Sequence, residues 1–101
     1  MAYKIKAFIK RPDEEYGHST SVSNTLENFQ RNVGGYIEVV GIAPGVVVVC
    51  DEEGRLKGKP YNCTIFGIDF VGDIVVVGVD GEEFADVPIS WDTWKKWIKE
   101  D

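Results

Sequence analysis

The stretch YIEVVGIAPGVVVVC, residues 36–50, decides how the chain folds. Two runs rich in β-branched residues, 36–42 and 46–50, flank Pro44 and Gly45. Proline holds φ near the value the first central position of a type II turn needs, and glycine accepts the positive φ of the second. The segment therefore predicts a hairpin of two antiparallel strands.

Working backwards, NTLENFQRNVGG (24–35) has the marks of a helix. Asn24 or Thr25 can cap it, Leu26, Phe29 and Val33 fall on one stripe, and Gly34 suits the left-handed residue at its end. The apolar face is narrow, so the helix should lie on a sheet. Residues 3–10 alternate, with Tyr3, Ile5, Ala7 and Ile9 on one side and Lys4, Lys6 and Lys10 on the other; Phe8 interrupts the polar side. That period belongs to a half-buried strand. RPDEEYGHSTSVSN (11–24) is polar, carries Pro12 and Gly17, and reads as a long loop or hairpin connection, the segment expected to be most mobile.

Working forwards, DIVVVGV (73–79) is a second valine-rich run, and with VVVVC it predicts the buried middle of the sheet. DGEEFADVP turns at Asp80 and Gly81. SWDTWKKWIKE then has Ser90 as a helix N-cap, Asp92 in the first turn and Lys95, Lys96 and Lys99 towards the end, in accord with the helix dipole. Trp91, Trp94 and Ile98 make one stripe that should close the core, while Trp97 lies on the flank and is a candidate anchor for a partner. The expected architecture is one α+β domain over 1–101. It has a mainly antiparallel sheet of about four or five strands, one packed helix after the first strand, and a short C-terminal helix.

Composition narrows the function. Seventeen acidic residues against eleven basic ones give a formal charge of −6, which disfavours attraction to nucleic-acid phosphates or anionic membranes. Only WKKWIK interleaves aromatics with bases, so nucleic acid is not an expected partner. The opening residues lack a signal-peptide apolar region, and no stretch approaches a membrane span. With two cysteines and no export signal, the expectation is reduced thiols in the cytoplasm, a Cys50–Cys63 disulfide being the minor alternative.

The segment CDEEGRLKGKPYNC (50–63) comes nearest to a chemical motif. Asp51, Glu52 and Glu53 are consecutive, whereas a calcium loop needs oxygen ligands at alternate positions and a distal acid. Gly54, Gly58 and Lys59 run into Pro60, where a phosphate loop needs Ser or Thr at a helix start. One histidine and no close cysteine pair leave zinc unserved. Neither cysteine has a neighbouring base, and the acid pairs Glu52/Glu53 and Glu82/Glu83 sit in polar turns, so no enzyme, metal or cofactor is expected. There remains a row of Arg55, Lys57 and Lys59, which an extended segment would project to one side. Asn62 could add a hydrogen bond and Gly58 would allow close approach. Such a row could take a small anion or an acidic surface; the competing reading is a solvated turn whose acids and bases offset one another.

LENFQRNVGGYIEVV, then CDEEGRLKGKPYN, then VGDIVVVG, resemble an uncharacterised family of short proteins from phages, plasmids and gut Gram-positive bacteria, a domain of unknown function. Its pattern is carried here by Leu26 and Gln30, by Gly34, Gly35, Tyr36, Ile37 and Glu38, by Glu52, Glu53, Gly54, Leu56, Gly58, Pro60 and Asn62, and by Gly72 and Asp73. The shared pattern spans 25–86 and leaves the N-terminal loop and the tryptophan-rich tail outside. The resemblance brings no catalytic residues. It implies a mobile-element setting, where small acidic proteins act by occupying a host factor or sequestering a ligand.

On that basis Tyr36, Glu38 and Asn62, with Arg55, Lys57, Lys59 and Trp97, form the candidate binding residues. For the polar ones, fastening the loop to the strand is the alternative role. The leading functional expectation is a non-enzymatic protein that binds a host protein, in the form of an anti-defence inhibitor. The competing one is sequestration of a nucleotide-like anion on Arg55, Lys57, Lys59 and Asn62. DNA mimicry is a distant third, since the acids are scattered. Unpaired strand edges are also compatible with a homodimer.

Overall fold

The computed structural model describes residues 3–99. In chain order they form β1 (Lys4–Lys10), β2 (His18–Ser23), α1 (Leu26–Val33), β3 (Ile37–Ala43), β4 (Val46–Asp51), β5 (Tyr61–Ile65), β6 (Ile68–Val71), β7 (Ile74–Asp80), β8 (Glu83–Ala85) and α2 (Trp91–Lys99). The class is α+β, as expected. The main sheet has six strands in the order β2-β1-β7-β4-β3, with β8 also on β7, and β5 and β6 form a separate two-stranded sheet. Every pairing is antiparallel.

The two valine-rich strands lie side by side at the centre, with Val48 opposite Val76. Residues 74–78 are all buried, because both faces of the sheet are covered and no polar alternation is needed. On one face α1 sets Phe29 and Val33 against Val49, Val75 and Val77. On the other, α2 and the β5–β6 hairpin bring Trp94, Ile65 and Phe70 onto Phe8, Val48 and Val76. Trp94 is fully buried, and its Nε1–H donates to the carbonyl of Tyr16 at 2.9 Å. That bond satisfies the one polar atom the ring takes inside, and it ties the 11–17 segment to α2.

The local signals form as read. Thr25 accepts from the Asn28 amide at 3.1 Å, and Gly34 ends α1 with φ +79°. Ser90 Oγ accepts from the Thr93 amide at 3.1 Å, and Gly45 has φ +74° in the β3–β4 turn.

Several expectations are corrected. The helix follows the second strand, since the polar 11–24 segment contains β2, paired along β1 from Lys4–Ser23 to Ile9–His18. Of β2, Val22 alone is fully inward, so an edge strand of this kind has almost no apolar period to detect. Phe8 is core because α2 covers the face that Lys4 and Lys6 leave open, and Lys10 is buried on that same side. Leu26 is largely exposed at the start of α1 rather than part of its buried stripe. The β5–β6 hairpin, turning at Phe66 and Gly67 with φ +50° and +80°, was not anticipated. Both central residues at positive φ match the primed turns whose twist suits adjacent strands, but phenylalanine rarely announces one.

Candidate functional site

Asp51 ends β4 with its side chain 1% exposed. Beyond it the chain turns continuously over 52–58 instead of running extended. The Lys57 amide donates to the Glu53 carbonyl at 2.9 Å and the Lys59 amide to the Gly54 carbonyl at 3.0 Å. The extended row expected of Arg55, Lys57 and Lys59 is therefore not formed.

The three basic side chains instead separate. Lys57 Nζ lies 2.8 Å and Lys59 Nζ 2.7 Å from Asp51 Oδ2. Lys57 also donates to the Gly34 carbonyl at 3.2 Å and Lys59 to the Val33 carbonyl at 2.6 Å. A helix leaves its last carbonyls without intrahelical partners, and cations are favourable there. Two of the three bases thus fasten the turn to the end of α1 around a buried carboxylate. Burial opposes the ionisation of Asp51. The hydrogen bonds from Lys57 and Lys59, with the Glu53 amide 2.9 Å from Oδ1, outweigh it and hold the carboxyl well below the usual range. Asp51 in turn raises the pKa of Lys57 through their hydrogen bond.

Gly35 makes room for this group. A Cβ there would stand 2.6 Å from Lys57 Nζ and 2.7 Å from Asp51 Oδ1. Gly35 is thus needed for a close approach and not for a left-handed backbone, which belongs to Gly34.

Asn62 is also committed inside. Its Nδ2 donates to the carbonyls of Lys10 (2.9 Å) and Gly72 (2.7 Å), and its Oδ1 accepts from Lys10 Nζ at 2.8 Å. Burial lowers the pKa of Lys10. The Asn62 amide joins β1 to the strands that follow and is turned away from solvent.

Arg55, Glu38 and Leu56 lie elsewhere, around a cleft of about 440 Å³. Val40, Cys50, Ile68 and Phe70 supply its apolar lining; Glu38, Glu52 and Asp69 add carboxylates. The Arg55 guanidinium donates to the Asp69 carbonyl at 2.8 Å and spans one side. Leu56 is 86% exposed, and Tyr36, whose carbonyl accepts from the Glu52 amide at 2.9 Å, is 69% exposed. The Cys50 thiol is pushed up to about 11 by burial, with Glu38 and Asp51 adding to the effect, so it stays protonated and a poor nucleophile. Trp97 is half-buried against the core and stacks edge-on to Phe66, with ring centroids 4.9 Å apart.

Of the candidate residues, Glu38 and Arg55 therefore share one cleft with Tyr36 close by. Lys57 and Lys59 meet at Asp51, Asn62 lies at Lys10, and Trp97 is with Phe66. Sequence reading passed over Asp51 as a hub because only its neighbours in space show its role. Leu56 was visible as a pattern position facing away from the basic row, with nothing to mark it as exposed beside a cleft. Among the described residues no group of three or more His, Cys, Asp or Glu side chains is placed to hold a metal ion, and no helix is long and apolar enough to cross a membrane.

Fold and site define a small antiparallel α+β domain whose most motif-like segment serves its own packing and leaves an apolar cleft beside an edge strand. The chain belongs to the family described as Domain of unknown function (DUF3846), which matches residues 5–98. The match is wider than the 25–86 pattern read from sequence, and it takes in β2 and most of β1 and α2. No curated protein and no solved structure matches the chain.

Proposed function

We propose that this is a non-enzymatic binding protein, an accessory protein of a phage or other mobile element that occupies a host protein in the cytoplasm. Inhibition of a host defence system is the action such a setting favours. The observation that carries the reading is the cleft lined by Val40, Cys50, Ile68 and Phe70 with Leu56 exposed beside it. Leu56 on the rim makes one continuous apolar surface with the cleft, and apolar patches rimmed by polar residues mark protein interfaces. The test is capture of a defined host protein by the tagged chain, compared with Leu56→Glu. Leu56→Glu should melt like the parent and lose at least tenfold in affinity; full retention of affinity would overturn the reading.

Sequestration of a nucleotide-like anion has less support. Lys57 and Lys59 already neutralise Asp51, and the Asn62 amide is spent on backbone carbonyls and Lys10. An anion would have to displace those contacts. A nucleotide that raised the melting temperature in proportion to its concentration would restore that reading.

A further inference from the structure

We propose that edge strand β3 takes up an extended segment of a partner protein as an additional strand, and that this segment is cationic with apolar anchors that enter the neighbouring cleft. The inference rests on the protein-binding reading and adds its geometry and chemistry.

The phase of the backbone comes first. The Glu52 amide bonds to the Tyr36 carbonyl at 2.9 Å, and Ile37 stands opposite Asp51 in the β3–β4 register. In an antiparallel ladder, hydrogen-bonded and non-bonded pairs alternate, so Glu38 and Val40 turn their backbone groups towards β4. Ile37, Val39 and Gly41 turn theirs outward. β3 is the last strand of the sheet, and none of those three makes a backbone bond to a turn or loop among the described residues. Free edges of this kind are normally blunted with lysine or proline, or covered. IEVVGIA has neither residue; its one irregularity, a register shift between Gly41 and Ala43, lies at the turn end of the strand, and Glu38, Val39 and Gly41 are exposed.

The cleft selects what would add there. Glu38 and Val40, both on β3, form one wall, so alternate side chains of an incoming strand would point into it. Its lining is apolar with four acidic residues; Asp51 is taken up by Lys57 and Lys59, which leaves Glu38, Glu52 and Asp69 with one cation, Arg55, in the lining. Neither Glu38 nor Glu52 has an ion-pair partner among the described residues. A basic segment complements this rim. A second copy of the chain, itself carrying −6, complements it poorly.

The probe is a capped heptapeptide with lysine at both ends, valine at its third and fifth positions and threonine between them, so that its valines and lysines share the face turned to the cleft, set against its counterpart with glutamate for lysine. Amide exchange measured by NMR on the full chain should show the lysine peptide protecting Ile37, Val39 and Gly41, with shifts at Val40 and Phe70. The glutamate peptide should bind at least tenfold more weakly. Val39→Pro removes an outward N–H without touching the β3–β4 ladder, so it should keep the parent's melting behaviour and weaken the lysine peptide at least tenfold. Absence of protection at the three amides, equal binding of the two peptides, or an unaffected Val39→Pro overturns the proposal. Concentration-dependent protection of those amides without peptide overturns it in favour of self-association. If a captured host protein is lost with Leu56→Glu but retained with Val39→Pro, strand addition fails while the binding reading stands.

Discussion

Lys59 Nζ lies 2.7 Å from Oδ2 of Asp51, whose side chain is shut off from water, and the two residues lie at opposite ends of the 52–58 turn. The contact closes that turn on itself. With the 2.6 Å bond from the same ammonium to the Val33 carbonyl, it also docks the turn on α1. A buried carboxylate with two lysines leaves an uncompensated charge when one side is removed. Asp51→Ala should therefore destabilise the protein by about 1.5–3 kcal/mol, the range for losing hydrogen bonds to a charged group. Urea unfolding checks it. Lys59→Met should cost more than Lys57→Met, because the Lys59 side chain is 23% exposed against 40% for Lys57, and solvent screens the latter pair more.

Acid should act through the same carboxyl. The folded pKa of Asp51 is depressed, so its contribution to stability is present above the unfolded aspartate value of about 4. It is lost as pH falls from there through the folded value. The parent should thus lose stability below about pH 4 more steeply than Asp51→Asn, which has no proton to take up at that position. Melting profiles that stay parallel for the two proteins down to acid denaturation would falsify the assignment.

Gly35→Ala should be destabilising by about 1–3 kcal/mol, the usual cost of overpacking, since its Cβ would stand 2.6 Å from Lys57 Nζ and 2.7 Å from Asp51 Oδ1. The cause is the carboxylate–lysine group and not the backbone, so the cost should shrink when the same change is made on Asp51→Ala. Gly34→Ala should behave differently: its Cβ would stand 2.9 Å from Lys59 Nζ, a flexible side-chain end that can give way, but the penalty of about 1 kcal/mol from its left-handed backbone should persist in that background. Equal costs for Gly35→Ala in both backgrounds would show that the crowding lies elsewhere.

Asn62→Ala should cost about 2–3 kcal/mol, because it leaves Lys10 Nζ and the carbonyls of Lys10 and Gly72 short of partners in a buried place. Replacing both partners, as Lys10→Met with Asn62→Leu, should cost less than the sum of the single changes. A double-mutant cycle by chemical unfolding measures the difference, and strict additivity would mean that the two side chains do not act together.

The sequence carried the fold's local decisions in readable form. Pro44-Gly45 made the β3–β4 turn, Thr25 and Ser90 capped the helices, and the valine runs became the two central strands. Each signal is complete within a few residues, so no distant partner is needed to interpret it. β2 and the β5–β6 hairpin were not legible, for two reasons. An edge strand with one fully buried residue has no apolar period, and Phe66-Gly67 lacks the Asn or Asp that usually marks a primed turn.

The candidate site divides along the same line. Arg55, Lys57 and Lys59 were visible as charges, but the directions of the two lysines depend on Asp51 and on carbonyls at the end of α1, 23 and 26 residues away in the chain, and that of Arg55 on the Asp69 carbonyl of β6. The left-handed role of Gly34 was legible as the end of a helix, whereas the carboxylate packed against the α-carbon of Gly35 came only with tertiary structure. The acidic charge, the helix caps and the central strands were determined by the sequence itself, because local backbone preference and apolar periodicity suffice for them. Which polar residues face inward, and that β3 is left as an open edge beside an apolar cleft, was decided only when strands distant in sequence packed together, since burial and pairing are properties of neighbours in space.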